Sequence, residues 1–263
     1  MSNIVLKLTF NKHNMGHWEI FLFFLMIAFV YSSVGFGGGS SYLAVLAMYN
    51  LPYQEIRLTA LICNVIVVIG GVYIYIKNNQ IEWKEVLPIT LVSVPMAYLG
   101  AVLKISQETF FLILGITLII AAVLLWVKTK AGNDEKAALD SGPSLLGNSF
   151  LGGGIGFLSG LVGIGGGIFL SPLLNLMKWD TARKIAATSS VFILVNSVSG
   201  ILGQLSKLSV GMDVFRIASL CLAVFVGGQI GSRMSLNWNP LIIKRMTAIL
   251  VLVAGINVLI KYW

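Results

Sequence analysis

The sequence predicts an all-α polytopic membrane protein built from two four-segment repeats, inverted relative to each other, with a broken or re-entrant first segment in each. Three observations carry that prediction. Of the 263 residues 57% are hydrophobic and only 11% charged, and the mean hydropathy is +0.90, a composition that excludes an ordinary soluble domain. Apolar stretches near or above the ~20 residues that cross ~30 Å of hydrocarbon as helix recur along the chain, without the alternating pattern of a β-barrel. The phrases VGFGGGSSY at 34–42 and VGIGGGIFL at 162–170 are nearly the same text written twice.

Taken in order, residues 1–17 form a polar N-terminal extension carrying Lys7, Lys12, His13 and His17. The i, i+4 spacing of the histidines suits a solvated amphipathic stretch better than a metal site, and no small-residue cleavage pattern marks the following segment as a signal peptide. The apolar segments then fall at 18–49, 55–77, 84–104 and 108–127, which make up repeat 1 at 18–127. The stretch KTKAGNDEKAALDSGPS at 128–144 is polar, mixed in charge and ends on Gly142 and Pro143, so it reads as a linker. Repeat 2, at 145–263, holds segments 145–177, 181–205, 211–235 and 239–261.

Duplication is visible in the offsets. Gly35 stands 128 residues before Gly163, Thr59 129 before Thr188, Gly71 129 before Gly200, and Gly100 131 before Gly231. Independent helices have no reason to keep their small residues in step, whereas internal repeats do.

The first segment of each repeat would be on the order of 50 Å long as one straight helix, too long for the hydrocarbon. Consecutive glycines destabilise helix by roughly 1 kcal/mol apiece relative to alanine. A break is therefore expected at Gly37, Gly38 and Gly39 and again at Gly165, Gly166 and Gly167. Each break leaves the N-terminus of a half-helix inside the membrane, where unpaired N–H groups and the helix dipole suit an anion. The alternative, that the glycines only permit close helix crossing, fits a contiguous triplet less well, because packing motifs space small residues along one face.

The doubled Gly-φ-Gly-Gly-Gly motif (φ apolar), the matched threonines that follow, and the two sets of four segments resemble the sulfite exporter TauE/SafE family over about residues 20–261. The resemblance implies transport of small sulfur-containing anions such as sulfite, organosulfonates or thiosulfate. It implies an integral multi-pass protein of the prokaryotic inner (plasma) membrane. One departure is that Ile168 and Phe169 follow the second motif where Ser40 and Ser41 follow the first, which makes the half-sites chemically unequal.

Polar residues inside the apolar segments are the other candidates for a pathway: Ser40, Ser41, Thr59 and Asn64 in the first half, then Thr188, Ser189, Ser190, Asn196, Gln204 and Gln229 in the second. Hydroxyl and amide donors replace part of an oxyanion's hydration without trapping it, and they also serve helix–helix bonding. Phe169 is the candidate contact for an organic tail. Arg57, Arg183 and Lys184 precede the matched threonines, where cations either draw anions toward the two sites or, as their place at helix starts favours, make headgroup or loop contacts.

No Asp or Glu lies in the middle of an apolar segment, so coupling through an intramembrane carboxylate has no obvious agent beyond edge residues such as Glu108 and Asp213. No nucleotide-binding loop, metal-ligand spacing or nucleophile–base pair appears, which argues against an enzyme, a cofactor and a metal centre. Cys63 and Cys221 read as packing residues. The net charge of +8 is placed between and at the ends of apolar runs, which points to lipid headgroups and topology rather than nucleic acid. A homo-oligomer is compatible with this composition.

If the first and fifth segments are re-entrant, eleven of the eighteen Lys and Arg residues share the side of the 128–144 linker. That side is then expected to be cytoplasmic, with both termini outside. Two function classes follow: a secondary carrier with substrate bound near the midplane, or a passive anion channel built on the same glycine turns.

Overall fold

The computed structural model describes residues 18–33, 35–49, 51–126, 145–177, 179–206, 213–234 and 240–262. The expectations for the N-terminal extension, with His13 and His17, and for the 128–144 linker lie outside them. Among the described residues all regular structure is helical. The first half holds α1 (Trp18–Ser32), α2 (Gly39–Met48), α3 (Tyr53–Lys77), α4 (Trp83–Val102) and α5 (Gln107–Trp126). The second holds α6 (Leu145–Val162), α7 (Gly167–Leu176), α8 (Ala182–Leu205), α9 (Val214–Met234) and α10 (Pro240–Tyr262). The first and fifth apolar segments are each split into two helices.

Among the described residues five helices are long and apolar enough to cross a membrane: α3, α4, α5, and the stretches Arg183–Leu205 of α8 and Val214–Arg233 of α9. Their outward faces carry large apolar side chains such as Leu91, Ile120 and Leu222, and Trp18, Trp83 and Trp126 are exposed at helix ends. An apolar exterior with indoles at its rims is the surface that hydrocarbon and headgroups solvate. The protein is an integral multi-pass membrane protein.

Two sets of polar contacts mark the opposite ends of the bundle. At one end Glu55, near the start of α3, pairs with Arg216, near the start of α9. There, too, Lys261 of α10 donates to the carbonyls of Ala47 and Met48 at the end of α2, at 2.9 Å each. At the other end Lys184 of α8 pairs with Glu82, just before α4, and with Asp180, just after α7.

These contacts fix the course of the split segments. The carbonyls of Leu25 and Phe29 on α1 face Gly227 and Gly231 of α9, so α1 runs inward from the Glu55 end, parallel to α9. α2 then returns to that end, and Phe24 of α1 stacks on Tyr42 of α2 with ring centroids 4.5 Å apart. On α6, Gly152, Gly156 and Gly160 lie on the backbone carbonyls of Ile89, Ser93 and Ala97 of α4. α6 therefore runs inward from the Glu82 end, and α7 returns toward Asp180. Each split segment is a hairpin, and the two enter from opposite ends.

The packing repeats when α1–α5 are exchanged for α6–α10: α1 packs on α9 as α6 packs on α4, α3 on α9 as α8 on α4, and α2 on α10 as α7 on α5. α3 packs on α8 and α5 on α10, each with its own counterpart. Backbone-to-backbone approach along the α4–α6 and α1–α9 seams depends on glycine, since dispersion and close packing rather than apolar burial hold helices together in lipid.

Candidate functional site

Six of the eight glycines in the doubled motif have a backbone task that repeats from one copy to the other. Gly35, with φ of +78°, ends α1: Phe36 N–H donates to the Tyr31 carbonyl at 2.9 Å and Gly35 N–H to Ser32 at 3.2 Å. That is a left-handed C-terminal cap, which glycine adopts without the Cβ penalty. Gly163, with φ of +87°, ends α6 through a bond from its N–H to the Ser159 carbonyl at 2.8 Å. Gly38 and Gly166, both with φ of +82°, are the N-caps of α2 and α7. Neither has a side chain to cap the helix, so the first bonds run from Ser41 and Tyr42 to Gly38 and from Phe169 and Leu170 to Gly166. The amides of Gly39 and Ser40, and of Gly167 and Ile168, precede those bonds at the two helix starts.

The two turns meet at mid-depth, between the centres of α3 and α8. A Cβ on Gly39 would lie 2.6 Å from the carbonyl oxygen of Ile164, the apolar residue of the second turn. Asn64 of α3, fully buried, is wedged between them: its Nδ2 donates to the Ile164 carbonyl at 2.9 Å, and it closes on Gly37, Gly39 and Gly165. Ile193 of α8, 129 residues later, closes on Gly37, Gly165 and Gly167. One amide and one aliphatic side chain thus occupy equivalent positions across the centre. Both turns touch both.

Around this centre Asn64 Oδ1, Ser189 Oγ and Ser197 Oγ have no hydrogen-bond partner among the described residues, and neither do the two amide atoms of the buried Asn196 on the same helix, α8. Orphaned polar groups in a low-dielectric interior cost free energy, which marks a place built for something other than packing. Ser197 lies beside Gly165.

The other expected residues divide. Ser40 and Ser41 are buried, and both are engaged by the Tyr31 hydroxyl, at 3.3 and 2.6 Å. Ser190 donates to the Gly35 carbonyl at 3.0 Å, tying the first turn to α8, and to the Ala186 carbonyl. Thr59 and Thr188 are buried one turn inward of Glu55 and Lys184. Phe169 is buried with Ile168 in the first turn of α7. Gln204 is buried with both amide atoms unpartnered, whereas Gln229 is half-buried against Gly70 of α3. Cys63 and Cys221 are free thiols.

One reading is overturned. Arg57 is not a headgroup or loop contact; it is 3% exposed and donates through Nη2 to the carbonyls of Gly160 at 2.8 Å and Ala101 at 3.4 Å. α3 begins deep enough, at Tyr53, that its second turn is already inside. Arg183, by contrast, is exposed at the start of α8.

Sequence reasoning also missed Tyr31, Ile193, Ser197 and the Glu55–Arg216 pair. The offset of 129 that links Thr59 to Thr188 would have found Ile193 from Asn64. No sequence signal joins Glu55 to Arg216, since their contact exists only once α3 and α9 pack.

The two ion pairs are related in the same way. Glu55 corresponds by the offset of 129 to Lys184, and Arg216, by the 131 that links Gly100 to Gly231, to Glu85, close to Glu82. Each end thus carries a pair between a helix of one half and a helix of the other, with the charges exchanged. They differ in burial: the Glu55 and Arg216 side chains are 6% and 19% exposed, against 50% and 32% for Glu82 and Lys184.

Residues 20–258 match the family described as Sulfite exporter TauE/SafE. The chain is 29% identical over 239 residues, 90% of its length and 95% of the relative's, to the probable membrane transporter protein y4hK of Sinorhizobium fredii. It is 24% identical over 255 residues, 88% of its length and 93% of the relative's, to the probable membrane transporter protein YunE of Bacillus subtilis. No solved structure matches the chain.

Proposed function

The chain belongs to the sulfite exporter TauE/SafE family, and from that premise we propose that it is a secondary transporter of small sulfur-containing anions of the sulfite, organosulfonate or thiosulfate class. The substrate binds near mid-depth between the two glycine turns, and two inverted halves exchange access to it. The observation that supports this reading most is the convergence of two uncapped helix starts on one point, around Asn64 and among buried polar atoms that lack partners. Uncapped amides and the positive ends of two helix dipoles attract an anion while leaving it free to depart.

In this mechanism the backbone amides of Gly39, Ser40, Gly167 and Ile168 hold the oxyanion. Asn64, Ser189, Asn196 and Ser197 replace part of its hydration, with Ser41, Thr59, Thr188 and Ser190 lining the approach. Phe169 meets an organic substituent. Because α2 and α7 return to opposite ends, the two approaches are related by exchanging the halves, the arrangement that supports alternating access around a fixed site. The ion pairs act as latches at the two mouths: Glu55–Arg216 holds one closed and Lys184–Glu82 the other. Asn64 and Ile193 fill the space between the turns, which favours a carrier over a continuously open pore.

The test is flux in liposomes containing the purified protein, across sulfite, thiosulfate, sulfate, sulfoacetate and a carboxylate control. Saturable uptake of sulfur oxyanions with counterflow is expected. Flux of none of them, or a high unitary conductance without counterflow, overturns the carrier reading.

A further inference from the structure

Arg57 is a buried cation without an anion. Among the described residues its Nε has no hydrogen-bond partner and no carboxylate lies within 4 Å of its guanidinium. The nearest acid in sequence, Glu55, is committed to Arg216. What surrounds Arg57 is neutral: two carbonyls at the ends of α4 and α6, and the Phe110 ring, whose centroid is 5.9 Å from Cζ. Helix C-termini and an aromatic face offset part of a charge, yet an uncompensated ion held away from water still costs several kcal/mol. A guanidinium remains charged in that setting.

Its position gives the charge a use. Arg57 precedes Asn64 by seven residues, two helical turns on the same face of α3, so it stands about 10 Å from the centre toward the Glu55 end. Its stem packs on Gly163, 3.2 Å from where a Cβ would be. The corresponding contact in the other half is made by Ala186 on Gly35, at 2.9 Å. One approach to the centre therefore carries a fixed positive charge and the other a methyl group.

We propose that Arg57 is the counter-charge for the substrate anion on its passage between the glycine turns and the Glu55 end, and that it sets the preference for dianions. The inference rests on the transport reading above and adds the residue that selects charge. A planar guanidinium with a free Nε–H meets the oxygen face of a sulfite, sulfonate or thiosulfate group in a charge-assisted bond, and Coulomb attraction doubles for a dianion.

The experiment is counterflow and competition in liposomes for wild type, Arg57→Gln and Arg57→Lys, using thiosulfate as the dianion and methanesulfonate as the monoanion, with melting temperatures of the purified proteins. Glutamine keeps a donor for the Gly160 carbonyl and removes the charge. Arg57→Gln is expected to lose roughly 10- to 150-fold in apparent affinity for thiosulfate, with a smaller loss for methanesulfonate. Arg57→Lys keeps the charge without the planar fork and is expected to fall in between. Wild-type affinity for both anions in Arg57→Gln, whatever its melting temperature, overturns the proposal and leaves Arg57 as a cap on α4 and α6. Should Arg57→Gln fail to fold, the wild-type protein decides: competition that favours thiosulfate over methanesulfonate by about tenfold or more supports the proposal, and equal affinity for the two anions refutes it. If the wild-type protein carries neither anion, the transport reading fails instead, so the two failures are separable.

Discussion

Replacing Glu55 with Gln should open the mouth that the Glu55–Arg216 pair closes, and the size of the effect follows from burial. With Glu55 6% and Arg216 19% exposed, removing one partner strands a nearly buried charge, which costs about 3–5 kcal/mol. If that loss falls on the state closed at this end, its population relative to the open state drops at least ~100-fold, since each 1.4 kcal/mol is a factor of ten. The equivalent change at the other end, Glu82→Gln, removes a half-exposed pair and leaves Lys184 with Asp180, a loss of roughly 0.2–1 kcal/mol and a factor of about five or less. The assay is the labelling rate of a cysteine placed at Thr59, one turn inward of Glu55, in a background where Cys63 and Cys221 are replaced by alanine. Glu55→Gln should accelerate labelling from the Glu55 end by about two orders of magnitude, and the charge exchange Glu55→Arg with Arg216→Glu should restore much of the protection. A fall in melting temperature with unchanged labelling would show that the pair merely holds the fold together. Equal effects from Glu55→Gln and Glu82→Gln would refute the argument from burial.

Three further outcomes are expected. Gly38→Val and Gly166→Val place a branched Cβ at φ of +82°, 2.8 Å from Tyr42 Cζ and 2.7 Å from Phe192 Cε1; at about 1–3 kcal/mol of backbone strain plus overlap, folded protein should still be recovered from membranes while anion flux is lost, and wild-type flux would count against the turns as binding elements. Ser40→Ala with Ser41→Ala strands the buried Tyr31 hydroxyl, a loss of about 1–3 kcal/mol in stability that Tyr31→Phe should recover; an anion affinity that stays about tenfold reduced in the triple variant, read by competition binding, assigns the serines to the substrate, and recovery of affinity assigns them to Tyr31 alone. Labelling of single cysteines in the 128–144 linker and near the C-terminus should report opposite sides of the membrane, the linker cytoplasmic, and labelling from one side would eliminate the inverted arrangement.

Much of the architecture was legible because it depends on quantities that sequence carries directly. Transfer of apolar side chains into hydrocarbon is a sum over residues, so hydropathy and segment length identify a helical membrane protein and place most helix ends within a few residues. Duplication leaves its offsets, and those offsets link Asn64 to Ile193, Arg57 to Ala186 and Glu55 to Lys184. The break points were legible too, since α2 and α7 start at Gly39 and Gly167, where left-handed φ at the preceding residue favours glycine.

Glycine alone, however, does not decide where a helix breaks. Gly152, Gly153 and Gly154 form a third triplet, and it lies inside α6 as regular helix. There Gly152 packs on the Ile89 carbonyl, and Gly156 and Gly160 continue the same stripe along α4, so close approach to a neighbouring backbone returns what the triplet loses in helix propensity. At 165–167 the chain has reached Asn64 and Ile193 at mid-depth, and the same residue type caps one helix and starts the next. The burial of Arg57 and the meeting of Glu55 with Arg216 are of the same kind: each side chain's partner comes from a helix that sequence distance does not bring near. Periodicity and transfer energy made the segments; which face of each segment meets which neighbour, and hence which polar groups are left free for a substrate, was decided by packing.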